Sequence, residues 1–145
     1  MRIIRFSARV YVHATESKEK VYRALMNILP DELRREAKIS EEKYEGHYGN
    51  PIIVIEAVID DPKKALQALL HLVSLLGEAD RRYLAATLDD RVDKSGTLYI
   101  RVSKQAAYMG EVKVLESDDV IRIAVHSQGG RRTAIKEYHR ILMGG

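Results

Sequence analysis

The chain has 145 residues, enough for one independently folding core, with 46% apolar and 31% charged residues. Net charge is only +3, from 24 Lys+Arg against 21 Asp+Glu, so any case for a nucleic-acid partner must rest on where the charges sit. The absence of cysteine excludes disulfides, thiolate nucleophiles and cysteine-held metal centres, and fits a cytoplasmic setting. No apolar run approaches the ~20 residues of a membrane span, and the opening residues lack the apolar stretch of a signal peptide.

Residues 2–14, RIIRFSARVYVHA, alternate with a period of two. Ile4, Phe6, Ala8, Val10 and Val12 fall on one face; Arg5, Ser7, Arg9, Tyr11 and His13 fall on the other. That is the pattern of a half-buried strand. Thr15 or Ser17 can cap a following helix, with Val21, Leu25 and Ile28 at helical spacing and Pro30 as its stop. A charged connection over 31–37 leads to a poorly alternating strand over 38–45, which reads as an edge. After the turn GHYGNP (46–51) comes IIVIEAVI (52–59), a strong strand whose only charge is Glu56.

Asp60 or Asp61 can cap the next helix, with Pro62 in its first turn and a stripe of Ala65, Leu66, Leu69, Val73 and Leu76. Gly77 ends it, and a second helix is expected over about 78–88. Asp93-Lys94-Ser95-Gly96 reads as a turn. The strand TLYIRVS (97–103) points Leu98, Ile100 and Val102 inward, and Tyr99 and Arg101 outward. Residues 104–109 suit one helical turn capped by Ser103. Residues 111–115 are ambiguous. A last strand, 120–126, turns Ile121, Ile123 and Val125 in, and Arg122 and His126 out. The tail from Gln128 to Met143 is helical, with Ala134, Ile135, Tyr138 and Leu142 on its apolar side. The order predicts an α+β fold: an antiparallel or mixed sheet with helices packed on one face. Residues 1–127 form the domain, and 128–145 a basic C-terminal helix packed on or extending from it.

If helices cover one face, the other collects Arg5, Arg9, Tyr11, His13, Tyr99, Arg101, Arg122 and His126 from three strands. Such a surface suits phosphates and bases. The same residues favour a homodimer contact or a plain solvent face. Two local motifs add to it. GHYGNPI (46–52) presents His47 and Tyr48 at a glycine-bounded turn, but it is not a phosphate loop, lacking GxxxxGK[ST] and a following helix. SKQAAYMG (103–110) offers Lys104, Gln105 and Tyr108 at a helix start, or simply packs a short turn. In the tail, Arg131, Arg132, Lys136 and Arg140 form a secondary basic arm or a solvated helix face.

Catalytic patterns are weak. The five histidines show no HxxxH spacing, and His71 sits in an apolar helix. Asp89, Asp90 and Asp93 could hold Mg²⁺ for a nuclease, but DDRVD departs from EF-hand spacing and suits capping. There is no GxSxG serine and no Cys–His pair. The expectation is no enzyme, no metal and no cofactor.

GHYGNPI followed by RVSKQAAYMG resembles a small archaeal family of RNA-binding proteins, also described as predicted exosome subunits. The resemblance covers most of residues 5–126, including VYVHATE (10–16) and LDDRVD (88–93), and departs at Ser103, where an acidic residue is expected. It implies a ribosomal L5-like fold and RNA binding in RNA processing or ribosome-related work, with RNA and an RNA-processing complex as partners. Residues 46–51 match the family's turn, and 104–108 its second motif. On this reading Arg5, Arg9, Arg101, Lys104 and Arg122 neutralise phosphates, and Tyr11, Tyr48, Tyr99 and Tyr108 are the candidates for base stacking. The alternative is a homodimeric scaffold without direct RNA binding.

Overall fold

The computed structural model of the chain describes residues 1–46 and 49–144. The strands are β1 (Arg2–Val12), β2 (Lys38–Glu45), β3 (Pro51–Ile59), β4 (Leu98–Ser103) and β5 (Val120–Gln128). The helices are α1 (Lys18–Asn27), α2 (Pro62–Leu75), α3 (Glu78–Ala86), α4 (Leu88–Arg91), α5 (Lys104–Tyr108) and α6 (Arg131–Met143). The strands form one sheet in the order β2-β3-β1-β5-β4, every neighbouring pair antiparallel. Helices pack on one face of it, so the strands alternate apolar-in and polar-out.

Local chemistry accounts for the element ends. The Ser17 hydroxyl accepts from the Lys20 N–H at the start of α1. At α2 the Asp61 carboxylate accepts from the Lys64 N–H, with Pro62 as the first helical residue. Ser103 caps α5 through the Ala106 N–H. β2 is one of the two edges, and all eight of its residues are exposed.

Phe6, Ala8, Val10, Ile55, Ile100, Ile123 and Val125 line the inner sheet face and meet Leu25, Leu69, Leu72 and Leu84 of the helices in one core. Helix α6 joins that core through Ala134, Tyr138 and Leu142. The buried Tyr138 hydroxyl donates to the carbonyls of Gly96 and Val125. Gly96 has φ +93°, and a side chain there would meet Ser127 Oγ at 3.0 Å and the Ala134 Cβ at 3.3 Å. Only glycine suits both constraints.

Two expectations need correction, and one ambiguity is resolved. Ile3, not Ile4, enters the core: it is buried while Ile4 is half-buried. The β1–β5 register shifts between Ile3 and Arg5, and one extra residue flips the alternation on its N-terminal side. The helix expected over 78–88 is two, because Thr87 leaves helical geometry at φ −113° and ψ 17°. Its hydroxyl donates back to the Tyr83 carbonyl and accepts from Arg91 Nε. Residues 111–115 make isolated bridges, Val112 with Leu76 and Val114 with Val102, rather than a strand.

Candidate nucleic-acid interface

The uncovered sheet face is built by register. Arg9 lies opposite Arg122 across β1 and β5, and Arg122 lies opposite Arg101 across β5 and β4. Three guanidinium side chains thus stand in one row on three adjacent strands. On the other side of β1, Arg9 faces Glu56 of β3, and Glu56 faces Ser40 of β2. Two residues along the strands, the next row reads Lys38, Val58, Ser7, Ala124 and Tyr99. Tyr11 lies two residues beyond Arg9 in the opposite direction. Arg5 stands opposite His126 nearer the bulge.

Like charges directly opposite on a sheet are destabilising. Among the described residues, none of Arg5, Arg9, Arg101 and Arg122 is within ion-pair distance of a carboxylate. Arg122 donates to the Asp118 carbonyl at 3.0 Å. The Arg9 and Arg122 guanidiniums each lie 5.9 Å from the centre of the Tyr11 ring, within cation–π reach. Tyr99 is 48% exposed, and its hydroxyl donates to Asp93 at 3.1 Å, which pins an otherwise open ring. Burial and then that carboxylate raise the Tyr99 phenol above its ordinary value. Burial, reinforced by the Arg5 charge and only partly offset by Asp93, holds the His126 imidazole below 6.5. His126 is therefore mostly neutral at pH 7, and the positive charge here belongs to the arginines.

The second sequence motif does not join this face as expected. Lys104 is only 8% exposed. Its ammonium donates to the Tyr11 carbonyl and Glu16, both at 2.9 Å, and pairs with Asp119 at 2.7 Å. It ties the end of β1 to the start of α5 instead of offering charge to a ligand. His13, Glu16 and Asp119 bring ligand-type atoms within 4.8 Å of one another, and the Lys104 ammonium, paired with Glu16 and Asp119, already supplies the positive charge that such a set would draw from a cation. Burial pushes the Asp119 carboxyl up, but hydrogen bonds and charge from Lys104 and His13 outweigh it and hold the group below 3.8. Tyr108 faces α1, with the Arg23 guanidinium 5.7 Å from its ring centre, while Asn27 anchors α5 by donating to the carbonyls of Ala107 and Tyr108. Gln105 is exposed on the same short helix.

The tail is only partly available. Arg131 donates to the carbonyls of Val92 and Asp89, and Arg140 pairs with Glu137. Arg132 and Lys136 are exposed. The acidic segment is engaged within the protein: Asp93 accepts from Ser95, Thr97 and Tyr99. His47 and Tyr48 lie outside the described residues. The sequence offers Glu56 only as a lone acid and Asp93 only as part of an acidic cluster for Mg²⁺; it assigns neither to this face. The signal for Glu56 was its being the lone charge in an apolar strand; nothing in the sequence ties Asp93 to Tyr99.

A family described as RNA binding matches residues 5–127. The RNA-binding protein PAB1135 of Pyrococcus abyssi is 42% identical over 118 residues, covering 81% of this chain and 77% of that protein. The uncharacterized protein MJ0213 of Methanocaldococcus jannaschii is 36% identical over 115 residues, covering 77% and 75%. Among solved structures, protein AF2318 of Archaeglobus fulgidus aligns with a TM-score of 0.83 at 31% identity, over 97% of this chain and 99% of that one. With the match spanning the sheet and five of its helices, the chain belongs to this archaeal RNA-binding family.

Proposed function

We propose that the open sheet face is the RNA surface, with Arg9, Arg122 and Arg101 as its centre. The observation that carries this is the row itself: three like charges placed opposite one another, none of them within ion-pair distance of a carboxylate among the described residues. Such an arrangement costs the free protein on the order of 0.2–1 kcal/mol per opposed pair. A phosphate backbone removes that cost and adds charge-assisted hydrogen bonds. Arg5 extends the same surface. Lys104 drops out of the phosphate-binding set because it is committed internally, and Arg132 and Lys136 are the exposed remainder of the basic arm.

The name of the Pyrococcus relative, an RNA-binding protein, supports the same reading. We further infer work in RNA processing or on ribosome-related RNA in the cytoplasm, with a ribosomal L5-like fold and an exosome-type complex as the partner to seek by co-purification. The charge-reversed Arg9→Glu/Arg101→Glu protein tests the surface in a filter-binding assay with unfractionated cellular RNA. It is expected to fold normally and lose RNA. Undiminished retention overturns the surface. A homodimer closing through this face would oppose two arginine rows; salt-insensitive self-association with no RNA retained is the result that favours it.

A further inference from the structure

Resting on that reading, the geometry of the two tyrosines narrows the class of RNA. Tyr99 belongs to the row of Ser7 and Ala124, Tyr11 lies four residues from Ser7 along β1, and the arginine row runs between them. Two interstrand steps and four residues of strand separate the two Cα atoms by about 17 Å. One ring is pinned by Asp93, the other flanked by two guanidiniums. Both are thus held in place rather than free to swing.

We propose that this face selects unpaired RNA, holding on Tyr11 and Tyr99 two bases that have left the stack, and on the arginine row the phosphates between them. Bases inside a duplex sit about 3.4 Å apart along each strand, with no gap for a side chain. Duplex RNA offers a protein its phosphates and 2′-hydroxyls, for which aromatic platforms have no use. Rings on both sides of a line of guanidiniums match a chain that alternates base, phosphate and base. The width fits as well. The basic strands β1, β5 and β4 span about 10 Å from first to last, and beyond β1 the row turns acidic at Glu56. That track suits one backbone, not two.

The test is fluorescence anisotropy with a short, unstructured, mixed-sequence RNA and with the same RNA annealed to its complement. The single strand is expected to bind at least about tenfold tighter. Tyr99→Ala and Tyr11→Ala each weaken single-strand binding by about 5- to 150-fold and leave the duplex unchanged. Tyr99→Phe keeps the ring but loses its tie to Asp93, and retains more single-strand affinity than Tyr99→Ala. Tyr99→Ala removes a half-exposed ring while Asp93 retains Ser95 and Thr97, so the turn survives, and circular dichroism verifies it. Equal or tighter duplex binding, or Tyr99→Ala and Tyr11→Ala proteins that bind the single strand unchanged, overturns selection of unpaired RNA while the arginine surface stands. If neither RNA binds, or if Arg9→Glu/Arg101→Glu binds both undiminished, the surface itself is wrong.

Discussion

The two halves of the open sheet face carry charge in opposite ways. On β2 and its neighbour β3 both signs occur: Lys38 pairs with Asp60 at 2.8 Å, Glu42 accepts from the Tyr44 hydroxyl, and Glu56 stands opposite Arg9. On β1, β5 and β4 the row carries one sign, and Arg122 faces an arginine on both sides. Exposed pairs of the first sort contribute little, typically ~0–1 kcal/mol, but they blunt an edge strand against aggregation. An unmatched row does neither. A sheet that tolerates local repulsion on one side and avoids it on the other is marking the side where a partner completes the charge balance.

The largest expected effect separates the halves directly. Arg9→Glu/Arg101→Glu should cost at least about 100-fold in RNA affinity, from two charge-assisted contacts at ~1.5–3 kcal/mol each. Lys38→Glu, a reversal on the acidic half, should stay within about twofold. Equal losses in the two proteins would erase the distinction.

The next effect is on stability, and it asks whether matched charges are scaffold. Glu16→Gln/Asp119→Asn leaves the Lys104 ammonium buried without its carboxylates. Urea denaturation should show a loss of roughly 2–3 kcal/mol, less than the ~3–5 of a fully buried pair because the carboxylates are partly in water. The sign with pH follows from Asp119. Its native value lies below 3.8, so its contribution is present above 3.8 and fades as pH falls through the native value. The double variant should lose stability less steeply over that acid range.

Arg122→Gln removes the middle of the row. Affinity should fall about tenfold, from one charge-assisted contact, and the salt slope should shrink by about one. Thermal stability should hold or rise by a few tenths of a kcal/mol, because both opposed pairs disappear. A clear drop in melting temperature would mean the row is structural. Smallest of all, Glu56→Gln should raise affinity about two- to threefold by removing the nearest acid from the end of the row. No change in a titration at low salt would place the RNA away from β3.

Much of this was legible in the chain. Period-two alternation correctly assigned the outward residues of β1 beyond the bulge, of β4 and of β5, because one buried face forces it. That Arg9, Arg122 and Arg101 stand in a single row was not legible, since register is decided by pairing between separate segments, β1 and β5 lying more than a hundred residues apart. The bulge at Ile4 was hidden for the same reason. Lys104 misled because the start of a short helix reads as exposed; its burial depends on β1, Glu16 and Asp119 closing around it. Arg131 likewise looks solvated until the carbonyls at the end of α4 come within reach. The sequence reports a residue's face well, and its partners poorly.

Strand order also bears on biosynthesis. β1 is made first among the strands and lies in the middle of the sheet, between β3 and β5. A ribosome must add more than a hundred residues after Arg9 before Arg122 can pair beside it. Until then β1 has one open edge, a hazard for aggregation during synthesis. The arginine row cannot exist on a nascent chain that stops short of β5. Truncated products would carry the charges without their alignment, and so would compete poorly for RNA with finished protein.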